Sequence, residues 1–311
     1  MGGSGGGFFF ERRNPPSDFA KKIRDVEERT KDDVFETDTS DLLRQLLTYS
    51  NNRDTETINT HLKTIKDALH LGIDGTIDLR YGGSISKHTY VDGLSDIDTL
   101  VILNNSELLN KTPQEVKEYF YERLCERFPR TDIKMGKLAV TVMFTNGFEI
   151  QLLPCIKHDK GIKITSSRDT NTWSHVVNPE NFAKVLRYVN TKTSGKLVPV
   201  IKLAKSVISS FPENRRLSGY HVESLAIEIF ANYKGEKSPK AMLKHFFNEA
   251  SKYVLQPVKD KSGQSVHVDS YLGASNSVDR KMVSDSLSTI SRKMQNADGN
   301  HDIRLWQDIL K

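Results

Sequence analysis

Residues 81–103 read YGGSISKHTYVDGLSDIDTLVIL. Just before them Ile77-Asp78-Leu79-Arg80-Tyr81 alternates apolar and polar, the period of a strand with one buried face. Gly82-Gly83-Ser84 breaks the alternation, Ser95 to Leu103 resumes it, and eleven residues separate Ser84 from Asp96. Asp96 and Asp98, at i and i+2 of that second strand, point to the same face. Side by side they repel unless a cation lies between them. Hard oxygen ligands in this arrangement suit Mg²⁺, which also takes substrate phosphates as ligands. The glycine pair lets backbone N–H groups approach a phosphate closely, with the Ser84 hydroxyl as a further donor. The stretch therefore reads as a phosphate cradle one short loop away from a metal-binding acid pair.

Upstream, helices are expected over 17–28 and 40–48. A longer one follows in which Ile58, Leu62, Ile65 and Leu69 form one apolar face, ending near Gly72. Downstream, 112–128 is an amphipathic helix with Pro113 in its first turn. Strands over 138–144 and 148–153 are joined through Thr145-Asn146-Gly147, the strongest short-range hairpin signal, and Pro154 closes the second. Beyond Trp173 the pattern turns helical. Asn178 and Pro179 start a helix carrying Phe182, Val185, Leu186 and Val189 inward. Further helices are expected over 199–211, 218–233, 238–253 and 277–295, with an irregular loop over 260–277. In the 199–211 helix, Val200, Leu203, Ala204, Val207 and Ile208 make the apolar stripe, while Lys202 and Lys205 share another face. The organisation is a mobile Gly/Phe tail (1–17), an α/β half with its leading helices (18–165) and a helical half (166–311). The cleft between the halves is the default ligand site.

Composition sets bounds. With 37% hydrophobic and 27% charged residues in 311, the chain can build a core and is not disordered throughout. A net charge of +5 suits a phosphate-bearing partner but is too weak to argue for nucleic acid. No apolar run approaches the ~18 residues of a membrane span, and no basic-then-apolar leader opens the chain. Two cysteines exclude a disulfide scaffold, and nine histidines without paired spacing give no zinc site. A cytoplasmic protein is expected.

The glycine–serine turn, the spacer and the apolar-flanked Asp96-Ile97-Asp98 resemble the signature of DNA polymerase β-like nucleotidyltransferases. The closer likeness is to the cGAS/DncV-like branch, the CD-NTases of bacterial CBASS anti-phage defence. Supporting segments are FEIQLLP (148–154), WSHVVNPENF (173–182), VIKLAK (200–205), LSGYHVESL (217–225) and HVDSYLG (267–273), so the likeness spans about 70–311. It implies an α+β fold: a nucleotidyltransferase core, a mixed sheet with helices, packed on a C-terminal helical domain. It also implies a template-independent enzyme that joins NTPs, ATP and/or GTP, into a cyclic di- or oligonucleotide with release of pyrophosphate. Two Mg²⁺ ions, for which Mn²⁺ can substitute, would serve a monomer needing neither membrane nor nucleic acid, whose product acts on a downstream CBASS effector. Residue by residue, Asp96 and Asp98 match the first two catalytic, metal-binding carboxylates, and Gly83 and Ser84 the phosphate-contacting turn. One or both of Lys202 and Lys205, with Lys205 preferred, fall on the triphosphate. By their own chemistry, Tyr220 and His221 near the start of the 218–233 helix suit stacking on or hydrogen-bonding a base.

The third carboxylate departs from the pattern. Where the family places an Asp, three residues before Pro154, this chain has Gln151. Glu149 lies on the same strand face, and its longer side chain makes up part of the shift of about 6–7 Å along the strand. Glu149 is the expected third acid. The alternatives are Gln151 ligating through its amide oxygen, or a site that has lost activity. Two other functions stay open on sequence: a nucleotidyltransferase acting on an RNA 3′ end or a protein, and a catalytically degenerate nucleotide-binding module.

Overall fold

The computed structural model describes residues 17–51, 54–70, 76–91, 97–104, 107–166, 169–262 and 267–311. The Gly/Phe tail up to residue 16 and Asp96 lie outside them.

The chain opens with a single helix, α1 (Ser17–Ser50), where two shorter ones were expected. Nothing between them breaks a helix: 29–39 contains neither Gly nor Pro, and Phe35, Thr39 and Leu43, at spacings of four, are all buried. Next come α2 (Thr55–His70), β1 (Thr76–Tyr81), the one-turn helix α3 (Gly83–Ser86) and β2 (Ile97–Asn104). Helix α4 (Pro113–Arg127) starts on a capping box, with Thr112 accepting from the Glu115 N–H while the Glu115 carboxylate accepts from the Thr112 N–H. Four strands follow: β3 (Asp132–Met135), β4 (Val140–Met143), β5 (Glu149–His158) and β6 (Gly161–Ile164). Strands β3 and β6 escaped the sequence reading because each is four residues long, too short to establish a period, and neither adjoins an Asn-Gly turn like the one that marks β4.

The sheet runs β1-β2-β5-β4-β3, with β6 pairing the far end of β5. Among the described residues only β2 and β5 pair in parallel; the other pairs are antiparallel. The expected hairpin joins β4 and β5, with Gly147 at φ +87°. Pro154 does not close β5. It falls between the β4 ladder, ending at Leu152, and the β6 ladder, beginning at Cys155, so its missing N–H breaks neither.

Helices α5 (Pro179–Lys192), α6 (Leu197–Ser209), α7 (Gly219–Phe230), α8 (Pro239–Tyr253), α9 (Val278–Gly299) and α10 (Ile303–Leu310) make the second half. The segment from Trp173 to α5 is not helical; Trp173 and Val177 bridge to Thr165 and Ile162. Helices α5, α7, α8 and α9 carry side-chain caps from Asn178, Ser218, Ser238 and Ser277. Helix α10, absent from the sequence reading, buries Trp306 completely.

Two cores result. Ile58, Ile65 and Leu69 of α2 and Val116, Phe120 and Leu124 of α4 cover one sheet face, meeting Val101, Leu103, Ile150 and Leu152. The other core lies within α5–α10, and Phe35 and Leu43 of α1 belong to it. The leading helix, grouped by chain order with the sheet half, thus packs on the helical half. Among the described residues, no helix is long and apolar enough to cross a membrane.

Candidate active site

The strand alternation decides which residues face the second half. Ile97, Val101 and Leu103 point into the α2/α4 core, so Asp98 and Leu100 point to the opposite face. The register pairs Asp98 with Gln151 and Leu100 with Leu153. On β5, Gln151 therefore stands directly beside Asp98, and Glu149 stands one side-chain repeat before it on the same face. The Gln151 amide donates to Glu149 Oε1 at 3.4 Å.

The glycine turn is built against Asp98. The Gly82 N–H donates to the Asp98 carbonyl at 2.8 Å, and Ser86 N–H closes the turn on the Gly82 carbonyl at 3.2 Å. Gly83 has φ +45°, and a Cβ there would lie 1.6 Å from Asp98 Oδ2 and 2.9 Å from Asp98 Cβ. Only glycine allows this approach. The turn and the acid are thus one unit, as their spacing suggested.

That unit forms one wall of a cleft of about 390 Å³ between the two halves. Gly82, Gly83, Ser84, Lys87, Asp98 and Leu100 line it from the sheet side. Phe182, Lys205, Gly219, Tyr220, Glu223 and Ser262 line it from the helical side. At its floor Glu223, 1% exposed, receives Lys205 Nζ on Oε1 at 2.8 Å, Lys87 on Oε2 and the Thr89 hydroxyl on Oε1. Lys205 also donates to the Thr89 carbonyl at 3.0 Å. Burial pushes the Lys205 ammonium below its usual range, opposed by the Glu223 charge. Burial pushes the Glu223 carboxyl the other way, but Lys205 and Lys87 outweigh it and hold the group below the ordinary carboxylate range.

The Tyr220 ring packs on Phe182 at 4.7 Å between centroids, and its hydroxyl donates to Asp260 Oδ1 at 2.7 Å. Burial raises the Tyr220 phenol. Lys87 Nζ sits 4.9 Å from the Phe182 ring centre and 5.1 Å from that of Tyr220. This end of the cleft is aromatic, while the Gly83–Asp98 end is polar.

Of the expected site residues, Gly83, Ser84, Asp98, Lys205 and Tyr220 therefore meet in one cleft. Glu149 and Gln151 are not among its lining residues, although they share the Asp98 face. Lys202 goes elsewhere: its ammonium donates to Asn51, at the end of α1. His221 turns into the core, where its Nδ1 meets the Tyr271 hydroxyl at 3.0 Å and its Nε2 lies 3.5 Å from Asp269, outside hydrogen-bond geometry. Asp269 is held by buried Arg280 at 2.7 Å. Burial pushes the His221 pKa down to about 4. Lys87 and Glu223 escaped the sequence reading. A charge set among Val222, Leu225 and Ala226 of α7 was the signal for Glu223; Lys87 carried none.

The donors suit a hard divalent cation: Asp98 is fixed by the glycine cradle, with Glu149 and the Gln151 amide oxygen on the same face. Among the described residues, no three His, Cys, Asp or Glu side chains converge.

Residues 30–190 match the sequence profile of the Second Messenger Oligonucleotide or Dinucleotide Synthetase (SMODS) domain. The chain belongs to the SMODS family. It is accordingly a nucleotidyltransferase that synthesises a dinucleotide or oligonucleotide messenger. The fold agrees. The structure of CdnC from E. coli MS115-1 with ATP superposes with a TM-score of 0.63 at 16% identity, covering 82% of this chain and 91% of that one. The cyclic dinucleotide synthase CdnE of Elizabethkingia meningoseptica, solved with GTP and Apcpp, gives 0.60 at 16% identity over 79% and 97%. The cyclic AMP-GMP synthase DncV of Vibrio cholerae gives 0.58 at 11% over 90% and 85%. No curated protein matches the chain by sequence. Within this SMODS chain, the cleft unites the glycine turn, one acid of the pair and a lysine from the opposite half.

Proposed function

We propose that the chain joins ATP and/or GTP into a cyclic di- or oligonucleotide, releasing pyrophosphate, as the signal of a cytoplasmic CBASS anti-phage system read by a downstream effector. The observation that carries the residue assignment is the apposition of Gly83 and Asp98 in the cleft that also holds Lys205 and Tyr220. In this reading the Gly83 and Ser84 N–H groups and the Ser84 hydroxyl bind the phosphates, and Lys205 neutralises their charge from the helical side. Tyr220, braced by Phe182 and Asp260, offers its ring to the base. Asp98, Glu149 and, by its place in the sequence, Asp96 would hold Mg²⁺, with Gln151 as the alternative to Glu149. When bound, that metal stabilises charge on the attacking and leaving oxygens of the in-line displacement. The protein's own part is positioning. The two halves hold the triphosphate between the turn and Lys205, and the apolar walls of Leu100, Leu153 and Ile164 exclude water. Lys202, held by Asn51, takes no part. The two cysteines, Cys125 and Cys155, are both unbridged, which supports a reducing compartment. Monomeric, template-free action completes the proposal.

The test is incubation of the purified chain with radiolabelled NTPs and Mg²⁺ or Mn²⁺, followed by phosphatase. A phosphatase-resistant product that vanishes in Asp98→Ala supports the proposal, and mass spectrometry gives its bases and ring size. Elongation of an added RNA instead of a small product overturns it.

A further inference from the structure

Glu223 is a carboxylate in the middle of an apolar helix, 1% exposed and ionised. Its two oxygens are taken by ammonium groups from different halves of the molecule: Lys87, which follows the glycine turn, and Lys205 on α6. Lys87, Lys205 and Glu223 hold two positive charges and one negative beside Gly83 and Ser84, with the Asp98 carboxylate on the same cleft wall also acting on Lys205. To an ammonium, a carboxylate and a phosphate offer the same thing, anionic oxygens on one centre. Both lysines line the cleft while paired inward, so a phosphate chain entering there competes with Glu223 for them.

We propose that Glu223 is a positioning residue that occupies Lys87 and Lys205 in the nucleotide-free protein, so that a phosphate chain binds by displacing a carboxylate. The inference rests on the reading of Gly83, Ser84 and Lys205 as the triphosphate end of the cleft. Glu223 holds buried Lys205 and half-buried Lys87 aimed across the gap between the halves, and it weakens the site for any polyphosphate. The same competition helps expel the pyrophosphate product.

The experiment is calorimetric titration of the full chain with inorganic tripolyphosphate, without divalent cation and at fixed ionic strength, alongside thermal melts. Glu223→Gln keeps the shape and removes the charge. The proposal requires a lower melting temperature and about tenfold or greater tightening for tripolyphosphate, the scale of one close charge pair. A purely structural Glu223 predicts equal or weaker binding, and that result in a folded variant overturns the proposal. If Glu223→Gln does not melt cooperatively, the comparison is Lys87→Met with Lys87→Met/Glu223→Gln, which removes one charge of each sign. The double variant must bind about tenfold more tightly than the single one; equal affinities overturn the proposal. Lys205→Met separates this from the reading beneath it. A loss of affinity leaves the triphosphate assignment standing whatever Glu223 does, whereas wild-type affinity removes that assignment and the proposal with it.

Discussion

Gly83→Ala is the sharpest perturbation this fold allows. Two effects add. The alanine must hold φ +45°, a left-handed conformation that costs an L-residue roughly 1–2 kcal/mol. Its Cβ also needs space that Asp98 fills: Oδ2 lies 1.6 Å away, against an ordinary contact near 3.4 Å, so the carboxylate must retreat by about 1.8 Å. Rotating the Asp98 side chain alone does not relieve the clash, because its Cβ is 2.9 Å away as well, and the turn itself must shift. The stability effect is modest, lowering the melting temperature by a few degrees at about 2–4 °C per kcal/mol. The catalytic effect is not modest. A displacement of about 1 Å in a positioned group costs on the order of 10²-fold in rate, and here the proposed phosphate cradle and the proposed metal-binding Asp98 move together. Pyrophosphate release from NTPs, measured with saturating Mg²⁺ on protein shown folded by its melt, should fall by two orders of magnitude or more. A folded Gly83→Ala protein retaining a third or more of wild-type turnover would refute the idea that the turn and Asp98 form one unit.

Three further outcomes are expected. Asp96→Ala, Asp98→Ala and Glu149→Ala should each cut turnover by orders of magnitude without loss of fold; near-normal activity in Glu149→Ala with abolition in Gln151→Ala would assign the third ligand to the glutamine. Arg280→Met removes the guanidinium that binds Asp269 and the carbonyls of Val254, Gln256, Gly273 and Ala274; with a buried carboxylate left unpaired, unfolding free energy should drop by about 3–5 kcal/mol in a urea titration. His221 is neutral in the fold, with its pKa pushed down to about 4. The unfolded chain binds that proton near pH 6.5, so the stability His221 contributes is complete above about pH 6.5 and is lost as pH falls toward 4, at up to about 1.4 kcal/mol per pH unit. Replacing it with Asn should flatten that limb in urea titrations stepped from pH 7 to pH 4; an unchanged slope would place the acid sensitivity elsewhere.

Much of the candidate site was legible because its first half is local. A period-two strand, a glycine pair and an acid pair within 77–103 are restrictions on φ, on side-chain direction and on charge that act over a few residues. The long helices were legible for the same reason, through 3.6-residue stripes and caps such as Thr112 with Pro113 and Asn178 with Pro179. Where the local signal was thin, the reading failed. Four residues of β3 and of β6 are strands only because β4 and β5 supply their hydrogen bonds, and Pro154 sits inside β5 because its neighbours on that edge change at that point.

By itself, the sequence determined that a glycine turn precedes an acid pair and that a sheet half precedes a helical half. Tertiary structure alone decided which lysine meets the cleft. Lys202 and Lys205 share one face of α6 and read alike, yet one reaches Asn51 and the other Glu223. It also decided that α1 packs on the distant half, that Gln151 stands beside Asp98, and that Lys87 and Lys205 converge on one carboxylate. The physical reason is common to all of these. A helix or turn forms from interactions between near neighbours, whereas the partner of a buried charge is set by which parts of a folded chain lie within a few ångströms, and no local periodicity carries that information.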